Sequence, residues 1–258
     1  MNYKIGIDYG GTKIEGILIN DKGEEILRKR SGYEKNYESG VKTIKNLVEE
    51  FDKHTNSKSS VGVGIPGSSS KENGLIKNAN SIWLNGKPFK KDLEMSLDRE
   101  IKIMNDANCF ALSEAIDGSG ANYNTVWGVI IGSGFGGSFV HNKRVVEGVN
   151  QVAGDWGHQP LPYPREEEWD LNLKCPVGNC GRPLCAEQFI SGIGFTKIFN
   201  KKYKTNFTTK EIVDLELNGD ERAKKEFELY EDRFARLIAV MIGIVDPDVI
   251  ILGGGMSN

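Results

Sequence analysis

The sequence lacks several features that define common classes of protein. Acidic and basic residues nearly balance, at 36 against 33, and neither sign forms a long run, so no nucleic-acid or membrane-surface partner is expected. No apolar run reaches the ~18 residues of a membrane-spanning helix. The chain enters its first strand within a few residues, which leaves no room for a signal peptide. We therefore expect a cytoplasmic protein.

Cysteine is also scarce, and four residues in 258 do not make a disulfide scaffold. Three of the four, Cys175, Cys180 and Cys185, cluster, which favours a metal site over bridges. Together with His158 they supply an imidazole and three thiolates, a ligand set typical of closed structural Zn²⁺ sites. The five-residue spacings are wider than in a CxxC knuckle, so buried thiols without a metal are the alternative.

What the chain does contain begins with a glycine turn between two apolar strands. The turn consists of Gly10, Gly11, Thr12 and Lys13. Glycines let backbone N–H groups converge on an anion, and the threonine hydroxyl and the lysine charge suit a phosphate. Asp8, at the end of the first strand, is placed to hold a hydrated Mg²⁺. The alternative is an ordinary Gly-Gly hairpin turn with a solvated lysine.

A related pattern restarts at Val126. An apolar strand that ends at Ile131 is followed by a glycine-rich turn over 132–137, which includes Ser133 and Gly134, and then by a returning strand. Two copies of strand, glycine turn and strand predict a duplicated architecture whose turns face phosphates across a cleft. The second turn also matches GxGxxG. A dinucleotide site needs a helix that begins in the glycines, however, and here the sequence continues as a strand.

A candidate general base, Asp106, follows a predicted strand and opens a helix. A carboxylate there can accept a hydroxyl proton while the oxygen attacks phosphorus, and the flanking Asn105 and Asn108 can hold a polyol. A helix N-cap is the alternative role for Asp106. Asp155 and Glu187 bracket the cysteine segment and can accept hydrogen bonds from sugar hydroxyls, although surface acids would look the same.

The length of the chain predicts two domains around the cleft, a small α/β domain over 1–120 and a larger α/β domain over 121–258. Apolar periodicity predicts helices over Ser39–His54, Thr209–Leu217 and Glu221–Val245. The last helix carries a stripe that should lie in the core, made of Phe227, Tyr230, Phe234, Leu237, Met241 and Ile244. The acidic run Glu166–Glu168 is expected to be a solvated loop.

Taken together, the motifs resemble the ROK family of sugar kinases, repressors and open reading frames. The resemblance is carried by Asp8–Lys13 (DYGGTK), Asn105–Asn108 (NDAN), Ala153–His158 (AGDWGH) and Cys180–Glu187 (CGRPLCAE). Two further stretches, Lys77–Gly86 (KNANSIWLNG) and Asp246–Asn258 (DPDVIILGGGMSN), are similar to its bacterial fructokinase or mannokinase branch. The likeness extends along essentially the whole chain.

This resemblance implies an actin-like (ribonuclease H-like) two-domain ATPase fold in which sugar and ATP meet between the domains. Asp106 would be the general base, and the sugar hydroxyls would be contacted by Asn105, Asp155, His158 and Glu187. The ATP site would consist of Asp8, Gly10, Gly11, Thr12, Lys13, Ser133, Gly134, Gly253, Gly254 and Gly255, with Asp8 organising Mg²⁺. Zinc would be bound by His158, Cys175, Cys180 and Cys185. The family often forms homodimers.

Three departures from the family pattern affect these expectations. In the family the first two cysteines usually occur as CxC. Here the position two before Cys180 is Gly178, and the preceding cysteine, Cys175, lies five residues before Cys180. Asp155 replaces the usual glutamate, which shortens the reach to the sugar by one methylene. The family also continues past the triple glycine into further helices, whereas this sequence stops at Asn258, so the resemblance predicts an adenosine site that is half built.

The expected reaction is phosphoryl transfer from MgATP to a hexose hydroxyl, O6 of fructose or of mannose. An N-acetylhexosamine or glucose kinase is the alternative within the same enzyme class, and a panel of sugars separates these activities. A sugar-binding regulator or a non-catalytic fragment is the alternative outside it. Regulators of the family carry an N-terminal helix-turn-helix, and the chain before Ile5 is too short for one.

Overall fold

The computed structural model describes residues 2–173 and 180–257, and the chain divides into two compact units. Unit 1 comprises Met1–Cys109 and Val149–Gln151, and unit 2 comprises Phe110–Gly148 and Val152–Asn258. None of the helices in these described ranges has the length and hydropathy needed to span a membrane.

Unit 1 is built on a mixed sheet. Its strands are β1 (Lys4–Tyr9), β2 (Lys13–Ile19), β3 (Glu25–Gly32), β4 (Ser60–Ile65), β5 (Ser68–Ser69), β6 (Ile76–Lys77) and β7 (Ile101–Asn105). The main sheet has the order β3-β2-β1-β4-β7, and β5 pairs with β6 separately. β2 runs antiparallel to β1 and β3, whereas β4 runs parallel to β1 and β7. The parallel strands therefore bring their carboxyl ends, and the residues that follow them, to one edge of the sheet.

The alternation of β1 decides which side chains of unit 1 are available for chemistry. Ile5, Ile7 and Tyr9 are buried, whereas Asp8 points to the other face and is exposed. The buried face packs against helix α1 (Tyr37–Thr55), whose predicted apolar stripe of Ile44, Leu47, Val48 and Phe51 is buried. Helix α2 (Phe89–Leu97) adds Phe89, Leu93 and Leu97 to the same core. The core thus fixes β1 while leaving the Asp8 carboxyl outside it.

Unit 2 repeats the sheet of unit 1. Its strands are β8 (Thr125–Ile131), β9 (Phe135–His141), β10 (Arg144–Val145) and β11 (Val249–Gly253). Their order is β10-β9-β8-β11, with β9 antiparallel to β8 and β10 and with β11 parallel to β8. The pairing senses match those of β3-β2-β1-β4 strand for strand. The duplication predicted from the two glycine turns is therefore present in the topology.

Helices cover the sheet of unit 2. They are α4 (Glu166–Asp170), α5 (Glu187–Ile190), α6 (Gly192–Tyr203), α7 (Thr209–Leu217) and α8 (Glu221–Val245), while α3 (Asp106–Ile116) begins in unit 1 and ends in unit 2. The bounds of α7 and α8 are those predicted from the sequence. Most of the α8 stripe packs into the core of unit 2, but Ile244 is 72% exposed, so its assignment to the core was wrong. It lies in the last turn of α8, beyond the buried Leu237.

The acidic run Glu166–Glu168 was wrongly predicted to be a solvated loop, because it forms α4 and its last member is 1% exposed. Arg233 Nε donates to Glu168 Oε1 at 3.0 Å, and Arg236 Nη1 donates to Glu168 Oε2 at 3.2 Å. Burial by itself raises the pKa of Glu168, but the hydrogen bonds from Arg236, the Arg165 backbone and Arg233 outweigh it and lower that pKa. The run of three acidic residues therefore includes one buried member, Glu168, which pairs with arginines of α8.

Candidate active site

The first glycine turn joins β1 to β2 in unit 1. The Gly10 N–H donates to the Lys13 carbonyl at 3.1 Å, and a Cβ on Gly10 would lie 2.8 Å from that oxygen, so the turn requires glycine there. The Tyr33 hydroxyl donates to the Gly10 carbonyl at 2.9 Å. Gly11, Thr12 and Lys13 are exposed. The turn therefore presents backbone and side-chain donors to solvent, as an anion site requires.

Asp106 is the first residue of α3, directly after β7. The alternative role considered for Asp106 was that of helix N-cap. The N-cap is instead Asn105, whose Oδ1 accepts the Asn108 N–H at 3.2 Å. The Nδ2 group of Asn105 also donates to the Gly67 carbonyl at 3.1 Å, which fixes the amide. Asp106 Oδ1 accepts the adjacent Ala107 N–H at 2.8 Å. The Asp106 carboxyl is thus held at the start of the helix while a neighbour provides the cap.

The carboxyls of Asp8 and Asp106 both have raised pKa values, and the charge of Asp8 contributes to the shift of Asp106. Burial is the main cause that raises the pKa of Asp106 above its usual 3.8, and the negative charge of Asp8 adds to it. The pKa of Asp8 is also raised, first because the surrounding chain keeps part of the water away from its carboxyl and then by the charge of Glu15, which lies opposite it on β2, although Arg30 partly offsets this. A divalent cation relieves such repulsion, so these oxygens fit a hydrated Mg²⁺.

Cys109 lies one helical turn after Asp106 on α3. Burial, and then the charges of Asp106 and Asp8, raise the pKa of its thiol to about 11. The thiol therefore stays protonated at neutral pH, which makes it a poor nucleophile.

The second glycine turn joins β8 to β9 in unit 2. The Gly132 N–H donates to the Gly134 carbonyl at 2.9 Å, and the Gly192 N–H donates to the Gly132 carbonyl at 2.8 Å. Glu187 lies beside this turn, because its Oε2 accepts the Phe135 N–H at 3.3 Å and is 3.1 Å from where a Cβ on Gly134 would be. The structure thus brings a predicted sugar contact to the predicted phosphate turn of the same unit.

The triple glycine 253–255 follows β11, the strand that pairs in parallel with β8. Gly254 has φ +93°, and a Cβ there would collide with the Ile131 carbonyl at the end of β8. The Met256 N–H donates to the same carbonyl at 2.9 Å. Two glycine turns therefore lie side by side at the carboxyl ends of two parallel strands, a common location for ligands in α/β sheets.

Glu187 and His158 are positioned by two chain segments that bond to each other. The Glu187 N–H donates to the Gly157 carbonyl at 2.8 Å, and the Ala186 N–H donates to the Gln159 carbonyl at 2.9 Å. A bridge between Pro160 and Cys185 continues the pairing. Residues 157–161 and 184–187 therefore form one antiparallel unit, which carries both predicted side chains.

His158, Cys180 and Cys185 form a cluster in which one ligand atom of each lies within 4.8 Å of the others. His158 Nδ1 is 3.4 Å from Cys185 Sγ. Zinc binds sulfur at ~2.3 Å and nitrogen at ~2.0 Å, so the cluster needs little contraction to hold the ion. The imidazole and thiolates fit Zn²⁺ chemically. The fourth predicted ligand, Cys175, lies outside the described residues.

Asp155 has a different neighbourhood. It is exposed and lines a cavity of about 590 Å³ whose walls include Trp156, Tyr163 and, from α8, Leu237. His158 and Glu187 are not among the residues that line this cavity. The predicted residues therefore form three groups. Asp8 belongs with Asp106, Glu187 with the two glycine turns of unit 2, and His158 with two cysteines. Asp155 stands apart from all three.

Two residues of these groups were missed in the sequence. Gly192 bonds the second glycine turn, and its only signal was the Ser191-Gly192 pair at a helix start. Tyr33 bonds the first turn from 23 residues away, and no local pattern indicates this contact.

Comparison with known proteins covers nearly the whole chain. The ROK family model matches residues 4–258. An N-acetyl-D-glucosamine kinase from Citrobacter koseri is 37% identical over 254 residues, which is 98% of this chain and 84% of the relative. The solved ROK hexokinase from Thermus thermophilus matches with a TM-score of 0.84 at 24% identity over 99% of this chain and 82% of that one. A ROK family glucokinase from Streptomyces griseus, in complex with glucose and AMPPNP, matches with a TM-score of 0.79 at 23% identity over 99% and 84%.

These matches explain the repeated sheet order. The duplicated β-sheet pattern is that of the actin-like, ribonuclease H-like ATPase fold, which the solved ROK structures share with this chain. Since the family model spans residues 4–258 and a relative is identical at 37% of positions, this chain belongs to the ROK family.

Proposed function

We propose that this protein is an ATP-dependent sugar kinase that phosphorylates an N-acetylhexosamine, with N-acetyl-D-glucosamine as the first candidate. The observation that carries the reaction type is the Asp106 carboxyl at the start of α3, which is held by the Ala107 N–H at 2.8 Å and whose pKa is raised by burial and by the charge of Asp8. A carboxylate with a raised pKa is a stronger base and is better suited to accept a proton from a sugar hydroxyl near neutral pH. The relative's substrate supports the choice of sugar.

Each group of residues has a role in this proposal. Asp106 accepts the hydroxyl proton as the sugar oxygen attacks the γ-phosphorus of ATP, and Asn105 holds a neighbouring hydroxyl. The exposed residues 11–13 and Ser133 offer donors to phosphate oxygens, Gly10 and Gly134 shape the two turns, and 253–255 approach the adenosine. Asp8 would hold hydrated Mg²⁺, which neutralises phosphate charge when bound. Chemistry of this kind depends mainly on positioning and electrostatics.

The remaining polar residues of unit 2 would contact the sugar. Glu187 and His158 are held by paired backbone segments, so their side chains are suited to orient hydroxyls. Asp155 stands where the family usually has glutamate and would contribute a shorter carboxylate. We propose these three as determinants of sugar preference.

The fructose prediction is retained as the second candidate, because Lys77–Gly86 and Asp246–Asn258 resemble the fructokinase or mannokinase branch. Against it stands the 37% identity to an N-acetyl-D-glucosamine kinase along 98% of the chain. The division into domains at residue 120 and the homodimer stay predictions.

A coupled assay of ADP release over a sugar panel tests the proposed activity. With N-acetylglucosamine, N-acetylmannosamine, glucose, fructose and mannose, we expect the highest kcat/KM on N-acetylglucosamine, at least about tenfold above fructose, since one well-placed polar contact can give that discrimination. A higher kcat/KM on fructose than on N-acetylglucosamine would instead support the fructokinase prediction. Absence of ATP-dependent turnover on every sugar, with sugar binding retained, would favour a non-catalytic regulator.

We also propose that His158, Cys180 and Cys185, with Cys175, bind a structural Zn²⁺. We expect about one zinc per chain by metal analysis, and chelation should lower the thermal midpoint because metal binding contributes to folding. Cys185→Ser should lose the metal, whereas Cys109→Ser, the matched control, should keep it. Metal-free protein whose stability is insensitive to a chelator would contradict this assignment.

A further inference from the structure

Tyr33 contacts the first glycine turn from outside it. It follows the edge strand β3, and its hydroxyl donates to the Gly10 carbonyl at 2.9 Å. The ring is partly buried against the buried Tyr9, with ring centroids 5.3 Å apart, and against Trp83, at 6.2 Å. Nothing in the reaction proposed above requires a tyrosine at this position, so the contact needs its own explanation.

The geometry of one peptide bond supplies that explanation. In a trans peptide the C=O of Gly10 and the N–H of Gly11 lie in one plane and point in opposite directions. Because Tyr33 holds the Gly10 carbonyl on one side, the Gly11 N–H points to the other side, away from Tyr33. Gly11 is exposed, and among residues 2–173 and 180–257 none accepts a hydrogen bond from its N–H. That donor therefore remains available to an anion.

The same peptide would be free to rotate without this bond. It lies between two glycines, which have no Cβ to restrict either neighbouring dihedral, so the carbonyl could turn toward the anion side at little cost. A carbonyl oxygen there would repel a phosphate. The Tyr33 hydroxyl favours the orientation in which the N–H faces the ligand.

Tyr33 is itself held in place by an aromatic cluster, defined here as Tyr9, Tyr33, Trp83 and Phe89. The Trp83 indole donates to the Tyr9 hydroxyl at 3.0 Å, and Phe89 packs edge-on against Tyr9 at 5.5 Å. Gly40 of α1 makes room for this arrangement, because a Cβ there would collide with the Tyr9 hydroxyl. The cluster connects the turn to the core of unit 1, so the orientation of Tyr33 does not depend on a mobile surface side chain.

We propose that Tyr33 is a positioning residue for nucleotide phosphate binding, acting through the orientation of the Gly10–Gly11 peptide. The inference rests on the proposed function, since it assumes that the turn binds the phosphates of ATP. Its contribution is specific to phosphate: the sugar and the adenosine should be bound equally well without the hydroxyl.

The test is Tyr33→Phe, which keeps the ring and removes the hydroxyl. We expect the KM for ATP and the Kd of MgADP by calorimetry to rise about three- to tenfold, the range for one lost hydrogen bond. The KM for the sugar and the Kd of adenosine should stay within twofold. Tyr37→Phe is the matched control, because its hydroxyl donates to Asp92 Oδ2 rather than to the turn, and all four constants should be unchanged.

The outcomes separate this inference from the proposed function. If wild type binds MgADP but turns over no sugar, the kinase proposal fails while the calorimetry still tests Tyr33. Unchanged MgADP affinity in Tyr33→Phe, equal losses for MgADP and adenosine, or wild type that binds no MgADP would each overturn the inference.

Discussion

Asp106→Asn is expected to lower kcat by ~10²- to 10⁴-fold, the usual contribution of a general base, while the KM for the sugar changes little. The amide keeps the size and the acceptor oxygen of the side chain but cannot take a proton. Steady-state kinetics on the best sugar of the panel measures both constants. Asp21→Asn, in the exposed turn after β2, is the control and should leave both unchanged. Turnover near that of wild type in Asp106→Asn would remove this residue from the role.

The same substitution should not destabilise the protein. Folding raises the pKa of Asp106, so the ionised carboxylate is the less stable form in the folded state and costs stability as the pH rises through that pKa. Asparagine removes the charge, including its repulsion with Asp8, and the thermal midpoint at neutral pH should be equal to wild type or higher. For the wild type, the acid limb of kcat/KM against pH should lie above the usual aspartate pKa of 3.8.

Arg233→Met is expected to lower the free energy of unfolding by about 3 to 5 kcal/mol, the usual cost of removing one partner from a buried ion pair. Arg233 is 2% exposed and pairs with Glu168 and Glu226, which are 1% and 0% exposed. Its loss leaves two buried carboxylates with one neutralising partner fewer. Urea unfolding at pH 7 measures the change.

The control for this prediction lies on the same helix. Arg222 pairs with Asp220 in an exposed position, and exposed pairs contribute little, so Arg222→Met should leave the urea midpoint close to wild type. An equal shift in both variants would contradict the assignment of the Arg233 network as buried and structural. A second consequence concerns pH: because the pKa of Glu168 is lowered on folding, its contribution is present above its usual value of 4.5 and is lost as the pH falls.

Local sequence patterns were sufficient where one residue depends on its immediate neighbours. The alternation of β1 predicted that Asp8 lies at the end of a strand, and apolar spacing gave the bounds of α8. The repeat of strand, glycine turn and strand predicted the duplicated sheet. These features follow from periodicity and from the backbone freedom of glycine, which can both be seen within a few residues.

The features that were missed depend on partners far along the chain. Glu168 is buried because α8 presents Arg233, 65 residues later, and Tyr33 reaches a turn 23 residues earlier. The N-cap role is a local exception: it belongs to Asn105 rather than to Asp106 because the helix starts one residue earlier than a cap at Asp106 would require. Tertiary packing decided the cases of Glu168 and Tyr33, and no local pattern contains that information.

The parallel pairing of β8 with β11 has a consequence for synthesis of the protein. Val126 lies opposite Val249, so one edge of the apolar strand β8 stays unpaired until a partner more than a hundred residues downstream has been synthesised. At ~5–20 residues per second, a ribosome needs roughly 6 to 25 s to add them. During that time the nascent chain exposes an unpaired apolar strand edge, the kind of surface that chaperones cover and that otherwise aggregates. The emergence of β11 therefore ends this vulnerable period.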